Sequence, residues 1–150
     1  MYINQSTGLE FEDEMIILIS DYAKKFYGED AVQFAKTKEE RIKADREQGT
    51  DFLLYGIPVD TTLNFHGKDN MDDIGEMPLN GFNVNFGFRK GNKRKEFNTP
   101  VLVIGASSPV EITKNNMWYY IQEIKTNIQN ILDKAFDLYY DAIDSQEALA

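Results

Sequence analysis

Residues 49–62, Gly-Thr-Asp-Phe-Leu-Leu-Tyr-Gly-Ile-Pro-Val-Asp-Thr-Thr, constrain the fold of this chain more than any other segment. An apolar run of strand length at residues 51–55 meets Gly56, and a second run follows at once. That order reads as a strand, a tight turn and a second strand. In residues 57–65 the pattern alternates, with Ile57, Val59, Thr61, Leu63 and Phe65 on one face and Asp60, Thr62 and Asn64 on the other. Pro58 fits a strand beginning or a sheet edge. Each strand carries one acid, Asp51 or Asp60, and two acids so placed can converge at one end of a sheet.

More strands follow. Phe82, Val84, Phe86 and Phe88 alternate with Asn83, Asn85, Gly87 and Arg89, which predicts a strand. Residues 90–95 read as a basic turn and residues 101–104 as the apolar strand returning from it. Residues 66–80, with Asp69, Asp72, Asp73, Gly75, Glu76 and Pro78, read as an acidic loop, and residues 105–109 as another loop.

Helical periodicity brackets these strands. Leu9, Phe11, Met15, Leu18, Ile19, Tyr22 and Phe26 predict a helix over residues 10–27, stopped by Gly28. Glu10, Glu12, Asp13 and Glu14 then fall in its first turns, where the helix dipole favours negative charge. Residues 30–47 are nearly all charged after Ala35 and read as a solvated helix or two short ones. From Met117 onward, Trp118, Ile121, Ile124, Ile128, Ile131, Leu132, Ala135, Leu138, Tyr139 and Ala142 form the apolar stripe of one long helix that frays over residues 145–150. The expected architecture is α+β: a single domain over residues 1–150, with a four- to five-stranded, mostly antiparallel sheet flanked by an N-terminal helix and a long C-terminal helix.

Composition limits the chemistry. The chain has no cysteine, which excludes disulfides and thiolate metal sites, and a single histidine, His66, in a polar segment. A histidine-based hydrolase or a zinc site is therefore not expected. Residues 105–109, Gly-Ala-Ser-Ser-Pro, lack the glycine pattern and lysine of a phosphate-binding loop. No apolar run spans a membrane and the start carries no secretory signal, so a cytoplasmic setting is expected.

The acids on the first helix, the Gly49-Thr50-Asp51 opening of one strand and the Val59-Asp60-Thr61-Thr62 strand together resemble the PD-(D/E)XK nuclease superfamily, with its restriction-endonuclease-like core. The resemblance covers roughly residues 9–105. It implies Mg²⁺ held by Asp51, Asp60 and a first-helix acid, Glu14 or its neighbours Glu10 and Glu12. The family also places a lysine two residues after the second acid, to position water or neutralise developing charge. Thr62 stands there, so catalysis at Asp51 and Asp60 requires a migrated lysine; Lys68 and Lys90 are candidates, with Arg89 as an alternative cation.

Charge points to binding. The net charge is −9, and the pI is about 4.6. A protein that grips nucleic acid directly needs a basic face, whereas an acidic surface attracts basic partners. Asp133, Asp137 and Asp141 recur every fourth residue on the last helix, continued by Asp144, and Asp69, Asp72, Asp73 and Glu76 form a second acidic cluster. The neighbouring aromatics Trp118, Tyr119 and Tyr120, and Tyr139 and Tyr140, cannot all face one core, so some are expected at the surface, where they suit an interface. The leading expectation is a non-catalytic inhibitor whose acids engage the basic nucleic-acid groove of a defence effector. DNA-mimicking anti-CRISPR and anti-restriction proteins of phages and mobile elements are similar in this respect. A Mg²⁺-dependent nuclease, and an assembly protein that forms homodimers or larger oligomers through the last helix, are the alternatives.

Overall fold

The computed structural model describes residues 5–33, 52–63, 65, 71–91 and 96–149. Helix α1 (Gln5–Tyr27) leads into a short 3-10 turn (Glu29–Ala31). Among the described residues six strands follow: β1 (Val32–Gln33), β2 (Phe52–Leu54), β3 (Ile57–Thr62), β4 (Met71–Leu79), β5 (Phe82–Gly91) and β6 (Glu96–Ser107). Helices α2 (Met117–Thr126) and α3 (Ile128–Leu149) close the chain. The sheet order is β1-β2-β3-β6-β5-β4. Its neighbours run antiparallel except β3 and β6, which pair in parallel from Val59 opposite Leu102 to Thr62 opposite Gly105. The fold is α+β as expected, but its sheet is larger than expected and mixed.

Alternation decides what each sheet face carries. Val59 on β3, Leu102, Ile104 and Ala106 on β6, and Val84, Phe86 and Phe88 on β5 are buried in one core. That core includes Phe11, Met15, Ile19 and Ala23 of α1 and Ile121, Ile124, Ile131, Leu132, Ala135 and Tyr139 of α2 and α3. The residues between them face the other way. Val101 and Val103 of β6 form a second, smaller cluster with Phe65. Phe65 therefore leaves the face that its alternation with Ile57 predicts. Strand β3 stops at Thr62, so the two-residue period no longer governs Phe65.

Gly56 makes the predicted turn. Leu54 pairs with Ile57, which leaves Tyr55 and Gly56 as a two-residue loop. Both have positive φ, 51° and 78°, the signature of a type I′ hairpin turn whose twist matches its strands.

Several boundaries differ from the sequence reading. Helix α1 begins five residues before position 10. The acids at positions 10–14 thus lie beyond the first turn, where the dipole no longer favours them. Lys24 and Lys25 occupy its last turn instead, and the Gly28 N–H closes it on the Lys24 carbonyl at 3.1 Å. Leu9 and Phe26, assigned to its apolar stripe, are exposed. The helix expected from residue 30 is a 3-10 turn and strand β1 as far as residue 33; the remainder, residues 34–47, lies outside the described residues.

The segment read as an acidic loop contains strand β4. Its acids, Gly75 and Pro78 suppress strand propensity, but full pairing with β5 overrides that local preference. The same features guard an exposed sheet edge: charge, a proline and a register shift between Asp73 and Gly75. Lys134 of α3 adds to this by donating from Nζ to the Glu76 carbonyl at 2.6 Å. Strand β6 runs through residues 105–107, which were expected in a loop.

The long C-terminal helix is broken at Asn127. The Asn127 side-chain amide donates to the Glu123 carbonyl at 2.8 Å, and the Thr126 hydroxyl donates to the Gln122 carbonyl at 3.0 Å. Such side chains compete for the carbonyls that an unbroken helix would use. The apolar period continues through the break, so the stripe alone does not reveal it.

Candidate functional site

Helix α3 presents one apolar and one acidic side. Ile131, Leu132, Ala135 and Tyr139 are buried beneath it, and the Tyr139 hydroxyl donates to the Pro100 carbonyl at 2.6 Å. Burial, and secondarily Tyr140, pushes the Tyr139 hydroxyl up to about 12. Asp133, Asp137, Asp141 and Asp144 are all exposed on the outer side, so the structure places the predicted row together in solvent. Neighbouring acids four residues apart advance about 6 Å along the helix. Tyr140 is exposed within the row and meets Tyr139 edge-on, with ring centroids 5.7 Å apart. Lys134 is turned to the β4 backbone, so it does not interleave with these carboxylates.

The second acidic cluster is only partly described. Asp72, Asp73 and Glu76 are exposed along edge strand β4; Asp69 lies outside the described residues. Leu138 of α3 stands directly over Gly75; Asp72, opposite Phe88, shares that side of the sheet, whereas Asp73 and Glu76 stand opposite Gly87 and Asn85 and face the other way. Asp72 carries an exposed ion pair with Lys90 at 3.6 Å, a contact of small energetic value.

The described residues of the nuclease-like reading lie on both faces of the sheet. Asp51, Lys68 and His66 lie outside the described residues. Asp60 pairs in register with Val103 and is only 7% exposed. It belongs to the sheet face that carries Val101, Val103 and Phe65. Glu14 is on α1, across the sheet from that face. The α1 side is marked by Thr61, whose hydroxyl donates to the Glu12 carbonyl at 3.2 Å. The Glu12 carboxylate accepts the Leu63 N–H at 3.2 Å, so it ties α1 to the end of β3. Lys90 pairs with Asp72 and stands 5.6 Å from the Phe88 ring centre. Phe88 belongs to the core on the α1 side, so Lys90 and Asp60 are also on opposite faces. Arg89 shares the face of Asp60 by alternation, and its buried Nε has no hydrogen-bond partner among the described residues. Among the described residues no group of three acids or histidines is placed to hold a metal.

Sequence reasoning missed a surface at the far end of α1. Tyr22, Phe26, Tyr27 and Tyr55 form a chain of ring contacts at 4.5, 6.1 and 5.5 Å. The signal was present in two aromatic residues just before Gly28 and one just before Gly56, since chain reversals hold their side chains near the surface. On α2, Trp118 and Tyr119 are exposed while Tyr120 is buried, the split expected of adjacent aromatics. No described helix is long and apolar enough to cross a membrane. Comparison with protein-family models, with curated proteins and with solved structures finds no match for this chain.

Proposed function

We propose that this chain acts by binding: the outer face of α3 and the acids of β4 engage a basic, nucleic-acid-handling protein and compete with its nucleic acid. The observation that carries this reading is the exposure of Asp133, Asp137, Asp141 and Asp144 on one side of a helix whose other side is anchored in the core. Anchoring matters because carboxylates on a rigid scaffold reach a partner without the entropy loss of ordering a loop. The like charges repel one another slightly within the helix, a cost that a cationic partner relieves. The partner class is a nuclease or defence effector with a groove of lysines and arginines, and the mode is inhibition of the anti-CRISPR or anti-restriction type. Catalysis is no part of this reading, and it calls for no cofactor.

The test is inhibition of DNA cleavage by a panel of restriction and RNA-guided nucleases, with the wild-type chain and the double variant Asp133→Lys/Asp137→Lys. Salt-sensitive inhibition that the double variant loses is the expected result. Inhibition that survives the double reversal removes α3 as the interface. Cleavage unaffected across the panel removes the nuclease as partner.

A further inference from the structure

Tyr55 occupies a position that an aromatic residue fills at a cost. Its φ of 51° lies in the left-handed region, where Asn, Asp or Gly serves a type I′ turn without strain. The ring is not repaid by burial in the core, since Tyr55 is 55% exposed. It meets the Tyr27 ring at 73°, and its hydroxyl donates to the Tyr27 carbonyl at 3.0 Å. Phe26 and Tyr27 beside it are 60% and 41% exposed. The surface formed by these rings has a definite electrostatic setting. Glu29 and Asp30 are exposed in the adjoining 3-10 turn. Helix α3 packs against α1; burial first, then Tyr22, then Asp133 of α3 and last Tyr55 hold the Tyr27 hydroxyl above its usual range. One ring already accepts a cation, because Lys25 Nζ stands 5.6 Å from the Phe26 ring centre.

We infer that the Tyr22, Phe26, Tyr27 and Tyr55 surface anchors arginine side chains of the basic partner, at the end of the acidic row that starts at Asp133. This rests on the proposed function. A guanidinium is planar, so it stacks on an aromatic face while its edge pairs with a carboxylate; a lysine ammonium does neither as well. The row from Asp133 to Asp144 extends about 16 Å along α3, so a partner segment seated on the rings continues over the carboxylates. The rings thus supply discrimination between arginine and lysine, while the row supplies general attraction.

The probes are fluorescent oligoarginine and oligolysine peptides of equal length, with binding followed by anisotropy. The wild-type chain is expected to prefer oligoarginine by about three- to tenfold. Tyr55→Asn, which suits the turn, is expected to abolish that preference, leave oligolysine binding unchanged and keep or raise thermal stability; Tyr27→Leu is expected to abolish the preference as well. An arginine preference that persists in both variants overturns the inference, as does a stability loss in Tyr55→Asn with binding unchanged, which marks the ring as a local brace. Concentration-dependent dimerisation that Tyr55→Asn removes also overturns it, because the surface then pairs two copies. If the peptides bind equally and Asp133→Lys/Asp137→Lys weakens both, the inference fails and the proposed function stands. If neither peptide binds, both fail.

Discussion

The two faces of the sheet carry different kinds of residues. Toward the helices, β3, β5 and β6 contribute Val59, Phe86, Phe88, Leu102 and Ile104 to one continuous apolar core. Away from them, the same strands bury Asp60, Thr62 and Asn85 beside the small Phe65, Val101 and Val103 cluster. Asn85 donates to the Ser107 hydroxyl at 2.8 Å on that face. The first face is held by area removed from water, the second by hydrogen bonds and close fit. The difference teaches that alternation, and not spacing alone, decides which side of the sheet an acid joins: Asp60 lies on the face away from α1 and its carboxylates.

The largest expected effect tests this contrast directly. Phe86→Ala should destabilise by about 3–5 kcal/mol in urea unfolding, because it opens a cavity in the main core. Phe65→Ala should cost about 2 kcal/mol, since its cluster among the described residues is smaller. Equal costs would show that both faces contribute alike.

Close fit on the second face has its own probe. A Cβ added at Gly87 would stand 2.7 Å from the Asp72 carbonyl oxygen, a backbone atom. Gly87→Ala should therefore destabilise by about 1–3 kcal/mol. No loss would mean that edge strand β4 shifts freely.

The smallest effect concerns Tyr139, on the helix side. Its hydroxyl is raised from 10.0 to about 12 in the folded chain. A folded-state value above the unfolded one favours the protonated form, so its contribution to stability is fully present below pH 10 and is lost as pH rises toward 12. Thermal melts across that window should show a falling Tm in the wild type that is shallower in Tyr139→Phe. Tyr139→Phe itself should cost about 1 kcal/mol near neutral pH, through the hydrogen bond to Pro100. Parallel curves would assign the alkaline fall to other groups.

What the sequence disclosed follows the same division. Period-two runs such as Phe82 to Phe88 and the apolar stripes of the helices announced the main core, because one buried face imposes one repeat. The β2–β3 turn was legible in Gly56. Strand β4 was hidden, because an edge strand is stabilised by pairing and needs no apolar pattern of its own. The break at Asn127 was hidden because buried residues continue on both sides of it. The exposed α3 acids could be located from spacing alone, whereas the ring surface at Tyr55 joins segments 28 residues apart, which no local pattern contains.

The central claim is that the α3 row, and not acidity in general, binds cations. The most direct measurement compares two double reversals with the same change in net charge, Asp133→Lys/Asp137→Lys on α3 and Glu10→Lys/Asp13→Lys on the exposed side of α1. Oligolysine affinity is read at several salt concentrations. The account predicts a marked loss of affinity and of salt dependence for the α3 pair, with the α1 pair close to wild type. Equal losses in the two variants would contradict it, because binding would then follow total charge rather than the surface that α3 presents.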